Sequence, residues 1–211
     1  MKLAQILERI ENARSGEAVK LIAVSKNVTT KEVLELFEQG QTSFGENRVQ
    51  ELKNKSEILS NLPIEWHFIG RLQSNKINHL LALKPALWQS CESVEAALAV
   101  DKRLDHELPC LLQINSAYED TKQGILPEAA QDAFLQIAQK CKFLKPVGVM
   151  SIGAHVDDEK VVQKSFETTR KIYENLQPRG AQICSMGMSG DFELAIKCGS
   201  NMIRLGSILY A

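Results

Sequence analysis

Leu21-Ile22-Ala23-Val24-Ser25-Lys26 is an apolar run that ends on a lysine. A short apolar run bounded by polar residues predicts a strand buried on both faces, as in parallel sheets covered by helices. Loops and helix N-termini gather at the C-terminal end of such a strand, and ligands bind there. The stretch therefore puts Lys26 at a candidate ligand mouth. An amine that is partly desolvated at such a mouth is poised to attack a carbonyl. A surface lysine that merely closes a strand is the plainer reading, and this stretch alone leaves both open.

Working outward, the pattern repeats. Strand signals fall at 42–45, 64–70, 86–90, 109–115, 146–150, 181–184 and 201–205, and helix signals lie between them. Thr29 or Thr30, Asn47 and Ser93 stand where helix N-caps belong, a helix is expected over 74–83, and Pro127 fits a first helical turn. Eight strands, each followed by a helix or a helix start, predict an α/β fold: a single (β/α)8 barrel of the TIM type over residues 1–211. A doubly wound open sheet is the alternative, because periodicity does not show closure. After the last strand only Gly206 to Ala211 remain, so the final helix is truncated. The N-terminal helix, with Leu3, Ile6, Leu7 and Ile10 on one face, is expected to cover the exposed side or floor of the barrel.

A chain of 211 residues with 44% hydrophobic content can bury one substantial core. A net charge of −1 gives no general pull toward nucleic acid or an anionic membrane. Neither a signal peptide nor a membrane-length apolar stretch is seen, which predicts a cytoplasmic protein. Cys91, Cys110, Cys141, Cys184 and Cys198 are odd in number and lack close spacing, as reduced buried thiols would be. The scattered histidines 67, 79, 106 and 155 show no helical metal-ligand spacing, so no metal is expected. No coiled-coil seam is evident, which favours a monomer.

The last two strands lead into Ser185-Met186-Gly187-Met188-Ser189-Gly190-Asp191 and Arg204-Leu205-Gly206-Ser207. In barrels these loops often seat a phosphate, because glycine lets backbone N–H groups approach and serine hydroxyls donate. Ser185, Gly206 and Ser207 are the phosphate candidates, although glycine and serine are also ordinary turn residues. Arg204 alternates with Ile203 and Leu205. If those two face the helices, the guanidinium points into the barrel and requires an acceptor, either a protein carboxylate or a ligand atom. A carbonyl-reactive lysine, a phosphate cup and an inward arginine together suit pyridoxal 5'-phosphate, which carries an aldehyde, a phosphate and a ring nitrogen.

Four further groups of residues carry a resemblance. Ala23-Val24-Ser25-Lys26, Phe44-Gly45-Glu46-Asn47-Arg48-Val49-Gln50-Glu51, Trp66-His67-Phe68-Ile69-Gly70 with Leu72-Gln73-Ser74-Asn75-Lys76, and the two glycine-serine loops make the chain similar to the pyridoxal phosphate homeostasis proteins, over almost its whole length. The resemblance implies that Lys26 is the Schiff-base lysine, that Ser185, Gly206 and Ser207 meet the phosphate, that Arg204 meets the pyridine nitrogen, and that Asn47 and Met188 lie near the pocket. It also implies that Lys122, in the long polar loop after the fifth strand, receives or hands over the cofactor. Asn27-Val28 and Arg71 depart from the family's usual residues. Glu46-Asn47 and Gln73-Ser74-Asn75-Lys76 read equally well as helix starts.

Two functions follow. The first is a carrier that holds pyridoxal phosphate on Lys26, limits free aldehyde and delivers cofactor to pyridoxal-phosphate-dependent apoenzymes. The second is an amino-acid racemase, since the barrel and lysine resemble the alanine racemase type. Two-base racemisation needs an acid–base group on each face of the cofactor. The only tyrosine expected near the mouth, Tyr118, reads better as a surface residue, and the sequence leaves no room for the β domain of such racemases. An arginine at the ring nitrogen also disfavours its protonation, which weakens the electron sink. The sequence therefore favours the carrier, with little or no turnover. A barrel holding another phosphorylated metabolite is a third reading.

Overall fold

The computed structural model describes residues 3–14, 16–119 and 123–210. Eight parallel strands close into a barrel in chain order, each hydrogen-bonded to the next and the eighth to the first. They are β1 Lys20–Val24, β2 Ser43–Glu46, β3 Glu65–Phe68, β4 Leu87–Cys91, β5 Leu108–Ile114, β6 Leu144–Ser151, β7 Ile183–Ser185 and β8 Met202–Leu205. The open-sheet alternative is thereby excluded. The helices are α1 Leu3–Ala13, α2 Thr30–Glu38, α3 Val49–Ile58, α4 Ile77–Leu81, α5 Val94–Asp101, α6 Ala130–Lys140, α7 Glu159–Leu176, α8 Phe192–Lys197 and a four-residue α9 Ser207–Tyr210.

Alternation along the strands separates the barrel interior from an outer layer, itself in two clusters, that packs against the helices. Ile22, Leu87, Leu111, Met150 and Met202 fill the barrel interior. Ile203 and Leu205 face outward into a cluster with Leu3, Ile6 and Ile10 of α1, Phe192 and Ile196 of α8, and Val33 and Leu36 of α2. α1 thus covers the outer flank of β8 and β1, which α9 is too short to cover. Arg9 clamps it to α8 through Nε and Nη2, which donate to Glu193 Oε1 and Oε2 at 3.0 and 2.8 Å.

Local chemistry sets the boundaries. Thr29 and Glu32 form a reciprocal capping box on α2, and Ser93 Oγ accepts the Ala96 N–H at 3.0 Å to open α5. The helix expected over 74–83 begins as a 3-10 turn, Ser74–Lys76, and continues as α4. Pro127 likewise opens a 3-10 turn ahead of α6. Asp101 accepts the backbone N–H groups of Lys142, Phe143 and Leu144, fixing the entry to β6. Among the described residues the cysteines are free, four buried and Cys198 half-buried, and no helix is long and apolar enough to cross a membrane.

Candidate functional site at the barrel mouth

β1 carries the chain to the C-terminal rim, where Lys26 sits in a tight turn. The Val28 N–H donates to Ser25 O at 3.2 Å, and Asn27 takes a left-handed φ of 64°. Ser25 is anchored from below. Its N–H donates to Gly45 O at 2.9 Å, and its hydroxyl donates to Glu46 Oε2 at 3.0 Å. Lys55, from α3, donates to both Ser25 O at 2.6 Å and Glu46 Oε2 at 2.7 Å. Both ionic side chains are buried, at 5% and 0% exposure. The residue before Lys26 is therefore held by a buried ion pair. Lys26 itself is exposed, against the partial desolvation expected from the sequence.

Asn47 lies at the same rim and is exposed, but it does not cap α3. The N-cap is Arg48, without a side-chain bond, and the Asn47 N–H donates to Glu46 Oε1 at 2.9 Å. Gly70 is required beside it, because a Cβ there would stand 2.0 Å from Asn47 O. The loops after β3 and β2 meet backbone to backbone at that point.

β1 and β8 are neighbours, and their register pairs Ile22 with Arg204 and Ala23 with Leu205. Lys26 and the Gly206-Ser207 loop consequently leave the barrel side by side. Gly206 faces Val24: a Cβ there would rest in ordinary van der Waals contact, 3.6 Å from Val24 Cβ at the closest. Its N–H donates to Ser189 Oγ at 3.2 Å, which ties the loop after β8 to the loop after β7. Ser207 is exposed at the start of α9. Ser189 was not among the sequence candidates. Its signal was the second serine of Ser185-Met186-Gly187-Met188-Ser189, four residues past the strand end. Gly187 permits this loop, since its φ is 97° and a Cβ would stand 2.7 Å from Ala195 Cβ. Met188 is exposed and lines a cavity of about 570 Å3 with Ser189, Gly190 and Phe192. That cavity flanks the mouth, and neither Lys26 nor Gly206 lines it.

Arg204 points into the barrel, as its outward-facing neighbours require. It is 5% exposed, and its partners are neutral: Nη1 donates to Ser185 O and Oγ at 3.0 and 2.5 Å, and Nη2 donates to Ser151 O at 2.8 Å. Burial lowers its pKa to about 10, with Asp191 acting in the opposite direction, so it stays cationic at neutral pH. Ser185 is fully buried, and its hydroxyl also donates to Gln89 Oε1 at 3.0 Å. Its hydroxyl is engaged with the arginine and Gln89, whereas half-buried Ser189 and Gly206 and exposed Ser207 lie at the rim. Tyr118 is a surface residue at 59% exposure, with its hydroxyl donating to Glu128 at 3.3 Å. Lys122 lies outside the described residues. Among the described residues no group of three metal-ligating side chains forms.

The fold and site define a class: parallel (β/α)8 barrels with a lysine at the C-terminal rim of β1 and a glycine-serine cup beyond β7 and β8. The chain belongs to the alanine racemase N-terminal domain family, whose profile matches residues 1–211, and within it to the pyridoxal phosphate homeostasis proteins. It is 49% identical over 216 residues to the Helicobacter pylori protein of that name, covering 99% of this chain and 96% of that one. The mouse protein of the same name is 37% identical over 207 residues, covering 90% and 76%. Of solved structures, PipY of Synechococcus elongatus with PLP bound superposes with a TM-score of 0.84 at 31% identity, covering 98% and 100%. An alanine racemase from Clostridium difficile, in complex with cycloserine, has a TM-score of 0.77 at 18% identity, covering 97% of this chain and 57% of that one. That last likeness is one of fold.

Proposed function

We propose that this protein binds pyridoxal 5'-phosphate at the barrel mouth, anchors it on Lys26, and serves cofactor homeostasis by holding the aldehyde and delivering it to apoenzymes. The observation that carries the reading is Arg204, a buried cation at the inner edge of the mouth that has neutral partners and no carboxylate within ion-pair distance among the described residues. Such a guanidinium suits a neutral ring nitrogen, which is an acceptor. The rest of the mouth fits the same group. Ser189 and Ser207 offer hydroxyls, and Gly206, without a side chain, lets a ligand approach the backbone between them. The relative's PLP-bound structure and the names of the homologues support the assignment.

When bound, the cofactor supplies an aldehyde that a primary amine captures with loss of water. The protein's own residues do the rest. The Glu46–Lys55 pair fixes Ser25 and so presents Lys26 Nζ from a rigid turn. Arg204, which can only donate, leaves the ring nitrogen unprotonated and the ring a weak electron sink. Holding is thus favoured over turnover. Titration with pyridoxal phosphate should give a saturable visible absorption band in wild type. The band should be absent in Lys26→Ala, and saturation should require more cofactor in Ser207→Ala. Transfer is tested by mixing loaded protein with a pyridoxal-phosphate-dependent apoenzyme and following its recovered activity. Robust stereoinversion of an amino acid by the purified protein would favour the racemase reading instead.

A further inference from the structure

The barrel interior contains a line of polar side chains, most of which the proposed cofactor contacts do not use. Arg204 Nη1 donates to Ser185 Oγ at 2.5 Å, Ser185 Oγ donates to Gln89 Oε1 at 3.0 Å, and Gln89 Nε2 lies 3.0 Å from His67 Nδ1. All four residues are buried, with exposures from 0% to 5%. Register keeps them on the inner face. Arg204 pairs with Ile22, Ser185 with Met202, and His67 with Leu87, and those three partners belong to the interior cluster. Gln89 lies two residues beyond Leu87 on the same strand.

The polarity of this line follows from its first member. A guanidinium carries donors and no acceptor. Ser185 Oγ must therefore accept from Arg204, and its single hydrogen is directed to Gln89 Oε1. Gln89 then turns its NH2 group to His67, so Nδ1 accepts and the proton of the neutral ring resides on Nε2. The opposite polarity would leave the hydrogen of a fully buried serine without an acceptor among these contacts, a costly loss. Burial keeps the imidazole neutral, lowering its pKa to about 4, with Lys20 adding to the effect and Glu65 opposing it. At the far end, His67 Nε2 has no hydrogen-bond partner, and Glu65 Oε2 stands 4.0 Å away. A cavity of about 300 Å3, lined by Lys20, Glu65, His67, Leu87 and Met202, opens at that N-terminal end of the barrel.

We infer that Gln89 and His67 are positioning residues for Arg204, forming through Ser185 a directional relay that aims the guanidinium at the mouth and couples the His67 tautomer to what Arg204 binds. The inference rests on the reading of Arg204 as a ligand-facing residue, but the relay has a signature in the protein without cofactor. Long-range 1H–15N NMR of the imidazoles reads it directly, with the His67 signals identified by their loss in His67→Gln. Wild type should show the Nε2–H tautomer. Gln89→Glu replaces the NH2 donor with an acceptor and should move the proton to Nδ1 or add a second proton to the ring. Arg204→Gln should release Ser185 and give a mixture of tautomers, and should this variant fail to fold, Gln89→Glu still decides.

Pyridoxal phosphate added to wild type should shift the His67 nitrogens, and Gln89→Leu should bind it about tenfold more weakly. An Nδ1–H tautomer in wild type, or a His67 pattern indifferent to the changes at positions 89 and 204, would overturn the relay. Cofactor binding with an indifferent His67 sinks the relay alone. A responsive His67 with no binding of pyridoxal phosphate leaves the relay standing and removes the cofactor reading.

Discussion

At the scale of single residues, the candidate site rests on groups set back from the mouth. Lys55 donates to the carbonyl of the residue preceding Lys26 and pairs with a fully buried Glu46. Lys55→Met should leave that carboxylate uncompensated and cost on the order of 3–5 kcal/mol, read as a lower urea midpoint. The same change should weaken capture of pyridoxal phosphate, because the Lys26 turn loses its support, and Glu46→Gln in the same chain should restore part of the stability. His67 predicts a pH effect. Its pKa falls from 6.5 to about 4 in the fold, so the unfolded chain takes up a proton in a range where the native one does not. Its contribution is fully present above pH 6.5 and is lost as pH falls toward 4, for a total of ~3 kcal/mol. Unfolding free energies across that range should decline more steeply in wild type than in His67→Gln. Strand ends and alternation in the sequence place Lys26, Gly206 and Ser207 at the rim and Arg204 on the inner face, where the structure has them. They miss Lys55, a lysine on a helix nine positions from its partner, since burial of that helix face depends on packing that periodicity does not encode.

At the scale of elements, α1 replaces cover that α9 is too short to give. Ile6 is fully buried between α1 and the outer face of the barrel, so Ile6→Ala should cost about 2–5 kcal/mol, measured by chemical denaturation. Arg9→Ala should cost under about 1 kcal/mol, because both partners of the Arg9–Glu193 pair are partly exposed. The amphipathic spacing of Leu3, Ile6 and Ile10 made this helix legible. Caps were less so. Thr29 and Ser93 cap as their positions suggest, whereas α3 starts one residue later than Asn47 would set it, with Arg48 at the N-cap. Strand ends moved for a similar reason: β6 runs over Leu144–Ser151, beyond the apolar stretch at 146–150, because Asp101 fixes the chain from residue 142 onward.

At the scale of the whole molecule, the alternation of eight strands with helices was legible and closure was not, since the pairing of β8 with β1 depends on contacts nearly the full chain length apart. Closure is what makes the site. It sets Lys26 beside Gly206, turns Arg204 inward, and buries Ser185 where the sequence had offered it to a phosphate. In the proposed function this geometry makes Lys26 the anchor for pyridoxal phosphate. The most direct measurement is borohydride reduction of the protein mixed with one equivalent of pyridoxal phosphate, followed by digestion and mass spectrometry of the peptides. A pyridoxyl group is expected on the peptide containing Lys26, with its loss in Lys26→Ala. Labelling spread over surface lysines, or unchanged in Lys26→Ala, would contradict that role for Lys26.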